Sequence, residues 1–104
     1  MFDEQVLPRA RDFDPQLILI SAGFDAAAGD LLGPFNLTPE LYGKLTSRLC
    51  SLPCGKVVLV LEGGYGESLP SCFAACVNAL IKSDTPASTP DRSSRRGYVS
   101  SPTA

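Results

Sequence analysis

The sequence predicts an α/β protein in which a partial parallel sheet is flanked by helices. Two short runs, residues 16–21 (QLILIS) and 56–62 (KVVLVLE), are apolar at successive positions, the pattern of strands covered on both faces. Segments of helical periodicity lie before, between and after them. The resulting order, helix–strand–helix–strand–helix, places a crossover between the strands and so makes them parallel.

The elements follow in order. Phe2, Val6, Ala10 and Phe13 recur at helical spacing, and Pro8 fits such a helix only in its first turn. Asp14-Pro15 stops it, because a residue before proline avoids the α region. After the first strand, residues 22–35 hold three glycines and a proline and read as a long loop. Thr38-Pro39-Glu40 opens a second helix, with Thr38 as N-cap, proline at the first helical position and a carboxylate near the positive end of the dipole. Leu41, Leu45, Leu49 and Leu52 form its apolar stripe, opposite Lys44, Ser47 and Arg48, and Pro53-Cys54-Gly55 ends it. Gly63-Gly64-Tyr65-Gly66 turns the chain after the second strand. A last helix starts near residue 68 and carries Leu69, Cys72, Phe73, Cys76, Val77 and Leu80 on one face.

The ordered domain is thus predicted to span residues 1–82. Residues 83–104, dominated by Ser, Thr, Pro and Arg, read as a disordered tail. Thr85-Pro86, Thr89-Pro90 and Ser101-Pro102 match the proline-directed phosphorylation pattern and RSSRR a weak targeting patch, but a solvated tail without specific role is the preferred reading.

At 104 residues the chain allows one small domain. Its net charge of −2 gives no sign of nucleic-acid or membrane-surface binding. No apolar run is long enough to cross a bilayer, and the acidic start MFDEQ lacks the layout of a signal peptide. A reducing compartment follows, with Cys50, Cys54, Cys72 and Cys76 as free thiols. There is no histidine. Two strands apolar on both faces also need neighbours and cover that three short helices cannot supply. The chain therefore reads as part of a larger sheet, loosely folded when alone.

Chemistry in open α/β sheets gathers beyond the carboxyl ends of the strands. Asp25 lies just past the first strand and Tyr65 just past the second, so parallel pairing puts them on one rim, roughly 5 to 10 Å apart by strand spacing. A carboxylate there must be solvated, paired or metal-bound, since burying it alone costs several kcal/mol, on the order of the polar-transfer penalty. Gly63 and Gly64 let backbone approach a ligand closely. Plainer roles stand beside these: Asp25 capping backbone N–H groups, Tyr65 a packed ring with its hydroxyl on water, and the glycines only a turn. Cys50-x3-Cys54 and Cys72-x3-Cys76 also fall within the spacing of structural zinc pairs, so a small domain stapled by a four-cysteine zinc site is a rival reading. Against it, Cys72 and Cys76 sit on the apolar stripe of the last helix, where cysteine behaves as a small hydrophobe.

The blocks SAGFDAAAGDLLG, NLTPELY and VVLVLEGGYGESL, in that order, resemble the C-terminal part of the catalytic domain of zinc-dependent histone deacetylases, most of all class II. VLPRARDFDPQLILI is similar to the family's helix leading into the first of these strands, so the resemblance covers residues 1 to about 82. It implies an arginase/deacetylase-type sheet, Zn²⁺ as cofactor, hydrolysis of acetyl-lysine amides, acetylated protein substrates such as histone tails, and a nuclear or cytoplasmic setting. Asp25 matches the second aspartate of an Asp-His-Asp zinc site. Tyr65 matches the tyrosine that polarises the acetyl carbonyl and steadies the oxyanion; phenols, with an ordinary pKa of about 10, keep that proton at neutral pH. Class IIa enzymes carry histidine there. Leu32 matches a residue lining the acetyl-lysine channel, where polyamine-selective relatives are expected to carry glutamate; Gly63 and Gly64, lacking Cβ, are the candidate substrate-binding backbone beside it.

Two departures matter. Where the family usually reads Gly-Asp-Pro-Leu, this chain reads Gly29-Asp30-Leu31-Leu32. The Asp-x-His pair and the tandem histidine base of the family lie upstream and are absent, and one carboxylate cannot hold Zn²⁺. The chain alone is therefore expected to be inactive. It reads either as part of a longer deacetylase or as a short non-catalytic product that acts as a protein-binding module.

Overall fold

The computed structural model describes residues 1–84. A π-helical turn (Phe2–Val6) runs into α1 (Leu7–Phe13), followed by β1 (Ile18–Ala22), α2 (Pro39–Cys50), β2 (Val57–Leu61) and α3 (Leu69–Asp84). The two strands pair in parallel, Ile18 opposite Val57 through Ala22 opposite Leu61. The ladder continues past both ends through Ile18 N to Lys56 O at 2.9 Å, Glu62 N to Ala22 O at 2.9 Å and Phe24 N to Gly63 O at 2.8 Å.

Thr38 caps α2 as its sequence predicts: its hydroxyl accepts the Leu41 N–H at 3.2 Å and Pro39 occupies the first turn. Pro8 lies in the first turn of α1, behind the π-helical turn. That wider turn shifts the hydrogen-bond register where proline lacks an N–H. It also breaks the 3.6-residue phase, so the predicted face of Phe2, Val6, Ala10 and Phe13 is not the buried one. Leu7 is buried instead, and Phe13 is 81% exposed. Asp14 stops α1 in the left-handed region (φ 54°), with its N–H on the Ala10 and Arg11 carbonyls, rather than in the extended region a pre-proline residue usually takes. In α2 the fully buried residue is Thr46, hydrogen-bonded to the Tyr42 carbonyl at 2.9 Å; of the predicted leucine stripe, Leu41 at its head is exposed, Leu45 and Leu49 are half-buried, and Leu52 just past the helix is buried. Gly43 lets α2 approach α3 closely, because a methyl there would sit 3.2 Å from the Ala75 carbonyl oxygen.

The core joins the sheet to α2 and α3. Ala22, Phe24, Ala27, Cys72 and Cys76 form its centre, with Ile20, Tyr42, Leu59, Leu69 and Phe73 packed around them. Phe24 is 1% exposed, its ring 4.8 Å from that of Tyr42 and edge-on to Phe73 at 6.1 Å. Only one face of the sheet is covered. The other presents Leu17, Leu19, Val58 and Val60, all about half exposed or more, so the double cover expected from the apolar strands is absent among the described residues. α3 runs through Ser83 and Asp84, two residues beyond the predicted domain boundary; the rest of the predicted tail, with its phosphorylation and targeting patterns, lies outside the described residues.

An uncovered apolar face binds dyes such as ANS. Leu19→Gln combined with Val60→Thr is expected to cut the fluorescence of ANS on the chain by roughly half while preserving helical circular dichroism. Unchanged fluorescence would contradict the open face.

Candidate functional site

The parallel register sets the site. One residue beyond β1, Gly23 leads to Phe24, whose ring anchors in the core and whose N–H extends the ladder to Gly63. Chain alternation then turns Asp25 outward, and it is exposed. Beyond β2, Gly63 and Gly64 lead to Tyr65, which is 52% exposed.

The two side chains converge. A methyl group built on Gly63 would lie 3.3 Å from Asp25 Oδ2 and 3.7 Å from the Tyr65 hydroxyl oxygen, so both oxygens sit within 4 Å of one point. The other carboxylate oxygen, Oδ1, lies 3.2 Å from the corresponding point on Gly23. Gly63 thus leaves open the space the two oxygens share. Gly64, at φ 138°, packs closely on Leu69 and Phe24, where an added methyl would come within 2.9 and 3.0 Å, and so shapes the turn against the core. Leu32 is 73% exposed on the rim of the Asp25 loop, beside exposed Leu31 and Phe35.

Asp30 holds the two loops together. Its Oδ1 accepts the Tyr65 backbone N–H at 2.6 Å, and its Oδ2 accepts those of Leu32 at 2.8 Å and Gly33 at 2.9 Å. The Tyr65 N–H foremost, then those of Leu32, Gly33 and Gly66, hold the Asp30 carboxyl below the usual aspartate range, against a contrary push from burial. Gly66 packs onto the same spot, where an added methyl would come 2.7 Å from the Asp30 Cα. The Ser68 hydroxyl donates to the Ala28 carbonyl. On the far side, Leu37 N to Ala26 O and Ala28 N to Leu37 O, both 2.9 Å, pin the loop to the approach of α2. The loop is therefore fixed although Leu31 stands where proline is usual.

Sequence reasoning missed Asp30. An Asp that accepts the N–H groups two and three residues on is an Asx turn, a local signal the sequence carried; the bond to Tyr65, 35 residues away, had none.

The reading of the four cysteines as a zinc staple is corrected. Among the described residues no three His, Cys, Asp or Glu side chains gather where they could hold a metal ion. Cys72 and Cys76 lie in the core, and burial foremost raises both thiols above their ordinary value, which favours the neutral form over the thiolate that zinc requires. Burial, then the nearby Cys72 and Asp25, likewise raise the Tyr42 phenol. Asp25 likewise supplies a single oxygen donor and does not complete a zinc site among the described residues. No helix among the described residues is long and apolar enough to cross a membrane.

Residues 1–80 match the histone deacetylase domain. Histone deacetylase HDA1 of Saccharomyces cerevisiae is 41% identical over 90 residues, 86% of this chain and 13% of that protein. Histone deacetylase clr3 of Schizosaccharomyces pombe is 46% identical over 81 residues, 77% of this chain and 12% of that protein. Polyamine deacetylase HDAC10 of Mus musculus is 46% identical over 82 residues, 78% of this chain and 12% of that protein. The solved structure of the histone deacetylase Clr3 superposes with a TM-score of 0.75 at 43% identity, over 85% of this chain and 15% of that one. The chain thus spans about one-eighth of the length of these curated relatives.

The depressed Asp30 carboxyl has a pH signature. A group whose folded pKa is lowered adds stability that is complete above its unfolded value and is lost as pH falls through the folded one. Carbon-13 NMR of the Asp30 carboxyl is expected to show titration below the usual aspartate range, with the Tyr65 amide resonance shifting in step. Titration at the ordinary value would contradict the arrangement.

Proposed function

The chain belongs to the histone deacetylase family and carries part of its arginase/deacetylase fold, and from that premise we propose that it supplies Asp25 and Tyr65 to a zinc-dependent centre that hydrolyses acetyl-lysine amides. The observation that supports the reading most is the approach of the Asp25 carboxylate and the Tyr65 hydroxyl to one point beyond the carboxyl ends of β1 and β2. The chain contains no histidine, so the remaining metal ligands and the general base come from residues outside it, and the chain alone does not deacetylate.

Within that centre Asp25 contributes one anionic ligand. The Tyr65 phenol donates a hydrogen bond to the acetyl oxygen, strongest when that oxygen carries negative charge in the tetrahedral intermediate. Gly63 leaves the space beside both groups free of side-chain atoms, and this is where the scissile carbonyl fits. The exposed apolar rim at Leu32 favours the aliphatic stem of an acetylated lysine over a second cationic amine, so acetylated proteins such as histone tails are the substrate class. The setting is the nucleus or cytoplasm.

A chimera tests the reading directly. Residues 1–84 replace the matching segment of the clr3 catalytic domain, and hydrolysis of an acetyl-lysine peptide is measured with bound zinc. The chimera is expected to turn over, and the 104-residue chain by itself is not. Tyr65→Phe is expected to lower kcat about 10²- to 10³-fold with zinc retained, the scale of losing one oxyanion donor. Asp25→Asn is expected to lose zinc. Full activity in Tyr65→Phe, or full zinc content in Asp25→Asn, would overturn the assignment.

A further inference from the structure

We propose that Asp30 is a positioning residue that fixes the Tyr65 hydroxyl beside Asp25 by clamping the two strand-end loops together through their backbones. The proposal rests on the functional reading above only for its effect on turnover; the clamp itself stands on geometry.

Tyr65 follows two glycines, the most conformationally free backbone in the chain, so β2 alone does not decide where its ring goes. The Asp30 carboxylate removes that freedom. Oδ1 takes the Tyr65 N–H at 2.6 Å, while Oδ2 is held by Leu32 and Gly33 within its own loop, and the charge on the acceptor strengthens all three bonds. Each oxygen thus serves a different loop, and the rigid carboxyl plane transmits the position of one to the other. Two further contacts lock the same seam: Gly66 lies flat against Gly29 and Asp30, and the Ser68 hydroxyl reaches the Ala28 carbonyl. Asp25 sits at the start of the loop that Asp30 closes, so the clamp spans the two proposed active groups through backbone N–H groups. A displacement of about 1 Å at a reacting group can cost on the order of 10²-fold in rate, which makes such a clamp consequential.

The experiment is residue-resolved amide hydrogen exchange on the full chain, comparing wild type, Asp30→Asn and Asp30→Ala. In the wild type the Tyr65 amide is expected to exchange at least about tenfold more slowly than in an unstructured peptide. Asp30→Ala is expected to abolish that protection, and Asp30→Asn, which keeps one acceptor oxygen, to retain part of it. The Phe24 and Glu62 amides of the ladder and Cys72 of α3 are expected to change less than about twofold. Fast exchange at Tyr65 in the wild type, protection surviving in Asp30→Ala, or equal loss at Phe24, Glu62 and Cys72 would each overturn the proposal. In the clr3 chimera, Asp30→Ala is expected to lower kcat about 10²-fold with KM within about twofold; an unchanged kcat would overturn the catalytic consequence. A chimera inactive in every form, with Tyr65 exchange still governed by Asp30, would sink the functional reading and leave the clamp standing.

Discussion

The parallel pairing of β1 and β2 is the constraint on which the other features depend. A parallel pair sends both chains out at the same edge, and here the ladder runs one step past the strands, to the bond from Phe24 N–H to the Gly63 carbonyl. That bond fixes the level of Asp25 relative to Tyr65. Slipping the register by one residue would turn Phe24 out of the core and Asp25 into it, at the cost of a large apolar side chain exposed and a lone carboxylate buried. The packing of Phe24 against Tyr42 and Phe73 therefore protects the register, and the register places the chemistry.

Above this floor the two loops are tied by polar groups rather than by apolar packing. The Asp30 carboxylate, the Ser68 hydroxyl and the close seat of Gly66 act between segments that otherwise present exposed leucines and a half-exposed tyrosine to solvent. Loops that carry function generally lie over a scaffold in this way, with their backbone groups satisfied locally. The opposite face of the sheet is built differently. Leu17, Leu19, Val58 and Val60 are arranged as a strand surface prepared for burial, and in the proposed reading the remainder of a deacetylase domain covers them.

Much of this was legible in the sequence. The two apolar runs gave the strands to within two residues, Thr38-Pro39 gave the start of α2, and the i, i+3 and i+4 spacing among Leu69, Cys72, Phe73 and Cys76 gave the packed face of α3. Asp25 and Tyr65 could be placed on one rim because strand ends and parallel order are local and topological facts. What escaped was of two kinds. The π-helical turn rotated α1 so that Leu7 replaced Val6 as the buried residue, a shift invisible to a fixed 3.6-residue period. The bond from Asp30 to Tyr65 joins residues far apart in the chain, and no periodicity reports such a partner. The family resemblance supplied roles for Asp25 and Tyr65 that spacing alone left open, and the domain match over residues 1–80 agrees with it.

The central claim is that Asp25 and Tyr65 face the same metal-bound substrate from adjoining strand ends. Anomalous diffraction at the zinc edge, from crystals of the clr3 chimera with an acetyl-lysine peptide and Tyr65→Phe to slow turnover, tests it most directly. One anomalous peak is expected about 2.0 to 2.2 Å from an Asp25 carboxylate oxygen, with the residue-65 ring turned toward the acetyl oxygen. A peak without Asp25 among its ligands, or a residue-65 ring directed away from the peak, would contradict it.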